Sequence, residues 1–257
     1  MGEVNQGFDD PDRTAWGSYW ADVHDEWMGA SIDQDCLLTL KDLANGGPVL
    51  ELGIGTGRVA IPLALSGLTV HGFETSTEMI EKLREKPGGD QIKVIQENYV
   101  DVNVEGKYRL IPWIDWGPFL LHSQEEQIRC VQNSADHLED GGYLVIEMPT
   151  RVPLPDHQGP HGNEHLLIES ITSTSVGLWA VDYNPLDQTL FTQQILLKDG
   201  SVRLQPVPMR YVSPAEIDLM ARMAGLRLAY RWSNWQRAEM TSESSTHISV
   251  YEKPAQP

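Results

Sequence analysis

The chain has 257 residues, a length that fits one domain with an inserted segment or two small domains. Its 19 Lys and Arg against 37 Asp and Glu give a formal net charge of -18, which repels nucleic-acid phosphates and anionic lipids. We therefore expect neither nucleic acid nor a membrane as a partner. The sequence contains no pattern typical of a secretion signal or a membrane span, which favours a cytoplasmic location.

The first half of the chain predicts alternating helices and strands. Residues 1–12 are polar and predict a disordered tail. Aromatic residues at helical spacing then predict an N-terminal helix, followed by a second helix at 32–43. From residue 49 the alternation has short connections, which is typical of a parallel sheet with helices on both faces. The expected strands are 49–52, 68–73, 92–95, 108–114 and 143–148, and the expected helices are 58–65, 77–85 and 124–138.

This alternation stops at Pro149, where a stretch rich in Pro, Gly and His begins. Strands expected at 167–173, 177–184, 189–198 and 201–206 predict an antiparallel insertion at 149–211, which is too small for a comfortable core of its own. The first pattern then resumes with a helix capped by Ser213 and with strands at 226–232 and 247–251. The expected fold is α/β: a doubly wound, Rossmann-like sheet of seven strands in 13–148 and 212–257, an antiparallel insertion before the penultimate strand, and an N-terminal helical cap.

The stretch VLELGIGTGRVAIPLALSGLTVHGFE, residues 49–74, indicates a ligand site. Glycine permits positive φ and lets a ligand approach the backbone at the start of a helix. A dinucleotide site would have G-x-G-x-x-G, whereas Gly53, Gly55 and Gly57 give G-x-G-x-G, and Arg58 stands where the third fingerprint glycine would be. The pattern favours a nucleoside over a diphosphate, although it leaves a nicotinamide oxidoreductase open.

Two acids flank this glycine run. Glu51 lies at the carboxyl end of the first strand, and Glu74 ends the second strand about twenty residues further on, where an acid can accept both ribose hydroxyls. Glu51 would repel a diphosphate but would favour a ligand that bears an ammonium and a sulfonium. Together the two acids indicate a ribose with a cationic extension.

The acid followed by G-x-G-x-G resembles the first motif of class I S-adenosylmethionine-dependent methyltransferases. The resemblance covers 45–148 and 213–252, and the insertion with the ending TSESSTHISVYEK is similar to small-molecule enzymes such as glycine and aminosugar N-methyltransferases. It implies S-adenosylmethionine as the cofactor and a small-molecule acceptor of natural-product biosynthesis. Asn98 stands in place of the acid that usually contacts the adenine, and Glu97 or Asp101 would take that place in a shifted register. The cofactor contacts that it implies are Glu51, Gly53, Gly55, Gly57, Arg58, Glu74, Thr75, Met79, Asn98, Tyr99 and Ile114.

The segment after the fourth strand lies where the resemblance places the methyl acceptor. Transfer to nitrogen or oxygen is an in-line displacement, so the protein holds the acceptor close and removes its proton. Asp115 and His122 are the catalytic candidates, although His122 also fits a residue that flanks the Ser123 helix cap. The candidate acceptor contacts are Tyr19, Trp20, Trp27, Trp116, His161 and His165.

Other interpretations stay open at this point. His157, His161 and His165 have metal-ligand spacing only on a helix, which Gly and Pro between them prevent, so no metal is expected. The enzyme could use the cofactor for a non-methylating reaction, such as cyclisation of its aminocarboxypropyl chain or pericyclic or elimination chemistry. The chain could also be an inactive binding subunit with a methyltransferase-like fold. A homodimer is possible.

Overall fold

The computed structural model describes residues 17, 20–101, 104–151 and 164–255, so the predicted tail at 1–12 lies outside the described residues. The main sheet has seven strands in the order β10-β11-β5-β4-β1-β2-β3, with β11 antiparallel to its neighbours β5 and β10. The predicted fold class is confirmed. The strands of this sheet are β1 Val49–Leu52, β2 Val70–Phe73, β3 Lys93–Ile95, β4 Tyr108–Trp113, β5 Leu138–Pro149, β10 Arg227–Trp232 and β11 Thr246–Glu252.

Helices cover both faces of the main sheet, because successive side chains of its central strands point to opposite sides. Leu50 of β1 contributes to the core that α5 and α6 cover, whereas Val49 contributes to the core that α2 and α3 cover. The described helices are α1 His24–Met28, α2 Gln34–Ala44, α3 Ala60–Leu65, α4 Thr77–Glu85, α5 Gln124–His137 and α6 Pro214–Met223. None of the helices in the described part of the chain is long and apolar enough to cross a membrane.

A second sheet of four antiparallel strands lies between β5 and α6 in the sequence. It falls within the predicted insertion at 149–211, and the division of the chain into these units stays a prediction. Its strands are β6 Glu164–Ile171, β7 Ser175–Asn184, β8 Thr189–Lys198 and β9 Ser201–Arg210. The last strand runs four residues beyond the predicted end, through Pro206 and Pro208. Proline is tolerated there because β9 is an edge strand.

Strand β5 also begins earlier than predicted, at Leu138 instead of residue 143. The sequence DGG reads as a turn, but Gly141 donates its N–H to Lys253 O and Gly142 accepts from Lys253 N. These bonds to Lys253, just after β11, hold the segment against the sheet. The register between β4 and β5 shifts there, between the pairs Tyr108/Leu138 and Leu110/Tyr143, so the glycines occupy an irregularity within a strand.

A buried arginine attaches the second sheet to the main one. Arg210, at the end of β9, is 4% exposed and donates to Gln127 of α5, to Gln188 (2.6 Å) and to Glu216 of α6 (2.9 Å). Gln127 in turn donates to Pro118 O at 2.9 Å. Because a buried guanidinium is costly unless its donors are used, this network fixes the base of the second sheet on α5 and α6.

Candidate active site

The glycine run forms a tight loop between β1 and α3. Gly53, Gly55 and Gly57 have φ of 77°, 52° and 82°, a left-handed conformation that only glycine adopts without strain. At Gly57 an added Cβ would lie 2.9 Å from Ile61 Cδ1. The loop therefore brings backbone, without side chains, to the carboxyl edge of the sheet.

Glu74 joins this loop to the end of β2. Its Oε2 accepts the N–H of Gly55 at 3.0 Å, and its Oε1 accepts the N–H groups of Thr75 and Ser76, each at 2.8 Å. The side chain is buried, and burial raises its pKa although the three backbone N–H groups act in the opposite direction. A carboxylate held in this way fixes the spacing between the ends of β1 and β2.

Glu51 is a second buried acid, 4% exposed, at the end of β1. Burial raises its pKa well above the usual value, and only the nearby Arg58 and the N–H of Ala60 favour its charged form. Its Oε2 has no hydrogen-bond partner among the described residues. A buried carboxylate oxygen without a partner at this edge is suited to a ligand that brings a positive charge or a donor.

Arg58 and Asp115 form an ion pair that connects the start of α3 to the loop after β4. The structure thus brings together Arg58, a predicted cofactor contact, and Asp115, a predicted catalytic residue. Asp115 has φ of 60°, which is unfavourable for a residue with a side chain. Its ion pair with Arg58 and its backbone bond to Glu147 stabilise this conformation.

Sequence reasoning missed Glu147, which lies near the end of β5. Its carboxylate accepts Trp235 Nε1 at 3.0 Å and the backbone N–H of Asp115. Burial, with the Asp115 charge adding to it, raises the pKa of Glu147 to about 7. The sequence carries a signal for it, because Glu147 lies near the carboxyl end of its strand, as Glu51 and Glu74 do.

Sequence reasoning also missed a clamp from α1 onto the glycine loop. Asp25 accepts Thr56 Oγ1 at 2.6 Å and pairs with Lys86 Nζ at 2.6 Å, and Lys86 donates to Thr56 O at 2.9 Å. His24 Nδ1 lies 3.2 Å from Thr56 Oγ1, and burial lowers the pKa of this histidine. We call His24, Asp25, Thr56 and Lys86 the α1 clamp. It holds the N-terminal helix against the loop.

The remaining predicted cofactor residues surround the same loop or support it. Tyr99 Cε1 lies 3.5 Å from where a Cβ on Gly53 would be, and its hydroxyl donates to Gly117 O at 3.1 Å. The Asn98 side-chain oxygen accepts the N–H of Val100 at 2.9 Å. Two others are buried in the cores, Met79 (0% exposed) and Ile114 (7% exposed).

The predicted acceptor residues lie in several places. Trp116 packs edge to face against Trp179 of β7, with 5.7 Å between ring centroids, so it joins the loop after β4 to the second sheet. Trp20 is 4% exposed and packs edge to face on Trp27 at 5.8 Å, within the core. His165 is half-buried in β6. Tyr19 and His161 lie outside the described residues.

His122 precedes α5, where its backbone N–H donates to the Glu126 carboxylate at 2.9 Å while Ser123 Oγ accepts from Glu126 N. This arrangement is a helix cap, and a catalytic role for the His122 side chain stays a prediction. Among the described residues there is no group of three His, Cys, Asp or Glu that could hold a metal ion.

A family model described as a methyltransferase domain matches residues 19–253. The chain belongs to this methyltransferase family. The solved CcbJ methyltransferase from Streptomyces caelestis is 36% identical, with a TM-score of 0.85 over 95% of this chain and 100% of that one. The cypemycin N-terminal methyltransferase of a Streptomyces species is 24% identical over 221 residues, which are 81% of this chain and 84% of that protein.

More distant structures share the fold. CalS10, an amino pentose methyltransferase from Micromonospora echinaspora solved with S-adenosylmethionine bound, is 13% identical, with a TM-score of 0.64 over 90% of this chain and 96% of that one. The resemblance inferred from the glycine run and its two acids is confirmed. The protein is an S-adenosylmethionine-dependent methyltransferase.

The residues at the loop fit this cofactor. S-adenosylmethionine supplies an activated methyl group on a sulfonium and also carries an ammonium group. The glycine loop leaves room beside its backbone, and Glu51 offers a buried oxygen that has no partner among the described residues. Glu74, at the end of β2, is placed where an acid accepts ribose hydroxyls in folds of this type.

We expect Glu74→Gln to weaken cofactor binding by roughly 10-fold to 100-fold, because an amide loses the charge-assisted bonds to backbone N–H groups. Calorimetry with S-adenosylhomocysteine measures the effect. Glu81→Gln on the exposed side of α4 is the matched control and should bind as the wild type does. Equal affinity in all three proteins would contradict the role given to Glu74.

We expect Thr56→Val to lower cofactor affinity by about fivefold to tenfold, because valine keeps the shape but removes the hydroxyl that Asp25 accepts. Thr39→Val removes a different buried hydroxyl bond, from Thr39 Oγ1 to Trp235 O at 3.3 Å, in which no residue of the clamp takes part. It should lower the melting temperature without changing the affinity. If the two variants bind the cofactor equally well, the α1 clamp does not support the loop.

Glu147 should make the free energy of unfolding depend on pH. Its pKa is raised from 4.5 to about 7 on folding, so the folded protein holds the proton that the unfolded chain releases. The stability that this group contributes is complete below pH 4.5 and is lost as the pH rises to about 7. Glu147→Gln should therefore gain up to about 3 kcal/mol relative to the wild type between those limits.

Chemical denaturation at a series of pH values measures this difference. Glu139→Gln, at the other end of β5, is the control and should follow the wild-type curve. A constant offset between the Glu147→Gln and wild-type curves from pH 4.5 to 7 would show that Glu147 does not titrate in this range.

Proposed function

We propose that this enzyme transfers the methyl group of S-adenosylmethionine to an amine nitrogen of a small natural-product molecule. The observation that carries the proposal is the pairing of an acid with aromatic rings beside the glycine loop. Asp115 follows β4, and the neighbouring Trp116 packs on Trp179 of the second sheet and on Phe119. A carboxylate next to indole rings suits an ammonium group, through charge and through cation–π attraction.

The charges of the surrounding chain support a cationic acceptor. Arg58 contacts Asp115. The carboxyls of Glu51 and Glu147 are also close enough to Arg58 to raise the pKa of its guanidinium. The chain as a whole carries -18, which raises the local concentration of protonated amines. An alcohol or a carboxylate acceptor would gain nothing from this field.

The names of related proteins also favour nitrogen as the acceptor atom. One curated relative is the cypemycin N-terminal methyltransferase, and among structures with the same fold are an amino pentose methyltransferase and the sugar N-methyltransferase KedS8 from Streptoalloteichus. We take these names as support for nitrogen over oxygen as the acceptor.

In this proposal the protein supplies position and proton removal. Asp115 orients the ammonium form of the acceptor, and Trp116 and Trp179 form one wall of its site. A protonated amine has no lone pair for the in-line displacement, so it must first lose a proton, and His122 is the candidate acceptor for that proton.

Incubation with methyl-labelled cofactor and matched pairs of compounds that differ only in amine against hydroxyl tests the proposal. We expect label in the amines alone, one S-adenosylhomocysteine for each methyl transferred, and a rate that rises with pH as the amine loses its proton. Label in the hydroxyl compounds would place the reaction at oxygen. Release of methylthioadenosine without labelled product would instead indicate the non-methylating reaction.

A further inference from the structure

A short turn directly after β10 connects helix α2 to the active site. We call residues 233–238 the β10 turn. Arg237 has φ of 62° in this turn, which reverses the direction of the chain. Hydrogen bonds within the turn fix its shape: Ser233 N to Ala238 O at 3.0 Å, Arg237 N to Asn234 O at 3.0 Å, and Ala238 N to Asn234 Oδ1 at 3.2 Å.

One side of α2 holds the β10 turn. Asp35, Thr39 and Asp42 are spaced four and three residues apart, so their side chains lie on the same side of the helix. Each of them bonds a different residue of the turn, which anchors the turn on α2. Asp35 accepts from Gln236 Nε2, Thr39 Oγ1 donates to Trp235 O at 3.3 Å, and Asp42 accepts from Arg237 Nη2 at 2.9 Å.

Trp235 connects the anchored turn to strand β5. It is 8% exposed and packs in the core that α2 and α3 cover. Its Nε1 donates to Glu147 Oε1 at 3.0 Å. Because a large ring packed in a dense core has few alternative positions, the indole N–H restricts where the Glu147 carboxylate can lie.

Glu147 extends this restriction to Asp115, because its carboxylate also accepts the backbone N–H of Asp115. The φ of 60° at Asp115 is unfavourable for a residue with a side chain, and such a conformation persists only where the surroundings hold it. Arg58 holds the carboxylate of Asp115, and Glu147 holds its backbone. The position of Asp115 therefore depends on where the Glu147 carboxylate is fixed.

We propose that Trp235 is a positioning residue for the acceptor site, because through Glu147 it holds Asp115 in the conformation that orients the acceptor amine. This inference rests on the proposed function, in which Asp115 orients the ammonium form of the acceptor. Trp235 acts here through two hydrogen bonds in series and not as a contact of the acceptor. The β10 turn thereby becomes part of the support of the active site.

Hydrogen exchange of the Asp115 amide, followed by NMR, tests this link without any acceptor. Trp235→Phe keeps an aromatic ring in the core but removes the N–H that holds Glu147, so the Asp115 amide should exchange at least about tenfold faster. The matched control is Trp232→Phe. Its ring stacks on Tyr230 with 5.4 Å between centroids, and the change should leave exchange at Asp115 as in the wild type.

Two further exchange measurements guard against general destabilisation. The Leu110 amide, in the buried part of β4, reports on overall stability. Glu147→Gln leaves the indole in place, and above pH 7 its neutral amide accepts more weakly than the carboxylate that it replaces, so it should also speed exchange at Asp115. The proposal is wrong if exchange at Asp115 is unchanged in both variants, or rises no more than exchange at Leu110.

Steady-state kinetics tests the consequence for the acceptor, with the amine that is methylated fastest in the matched pairs. Trp235→Phe should raise the KM for this amine about fivefold to tenfold and leave kcat within about twofold, because the lost interaction acts on binding of the ammonium group. Affinity for S-adenosylhomocysteine, measured by calorimetry, should stay within about twofold of the wild type. Parallel losses of kcat and of cofactor affinity at an unchanged KM would contradict a positioning role.

Asp115→Asn separates this inference from the proposed function. It should raise the KM for the amine, and Trp235→Phe should add less than about a factor of two in that background, because both changes act on the same contact. If the two effects multiply in the double variant, Trp235 does not act through Asp115, and this inference alone is overturned. An unchanged KM in Asp115→Asn would overturn the role of Asp115 in the proposed function and this inference with it.

Discussion

The arrangement of the active site depends on one buried carboxylate. Glu74 accepts N–H groups from Gly55 of the glycine loop and from Thr75 and Ser76 at the start of α4, so three chain segments converge on one side chain. Donors of this kind are what make a buried carboxylate affordable. The positive φ of Gly55 turns its N–H toward Glu74, which is why glycine and acid have to occur together.

A wider charge balance surrounds this carboxylate. Glu51, Asp115 and Glu147 all influence the single guanidinium of Arg58, which pairs directly only with Asp115. Burial raises the pKa of both Glu51 and Glu147, so Arg58 alone does not keep both carboxyls ionised. A cofactor with a sulfonium and an ammonium, if held beside these carboxyls, would supply additional positive charge. Binding of that cofactor should therefore draw protons off these carboxyls.

Much of this site could be predicted from local sequence. The glycines and two acids lie within 24 residues, and strand ends that carry acids follow from the alternating pattern. The α1 clamp could not be predicted, because Asp25 and Thr56 are 31 residues apart and nothing local pairs them. The bond from Trp235 to Glu147 spans 88 residues and depends on a loop whose path no periodicity encodes. For Trp20, helical spacing could not separate a core residue from a site residue, and the structure places it in the core.

Strand β7 of the second sheet carries apolar side chains on both faces of the sheet. Alternation in β7 sends Trp179 and Val181 inward and Leu178 and Ala180 outward, so the run 176–181, which has no charged side chain, lies on both faces of the sheet. Such a run is expected in a strand buried on both sides, and within this run Gly177 and Val181, on the inner side, are the buried residues. The inner contact holds Trp179 against Trp116, next to Asp115, so the second sheet supports the loop after β4.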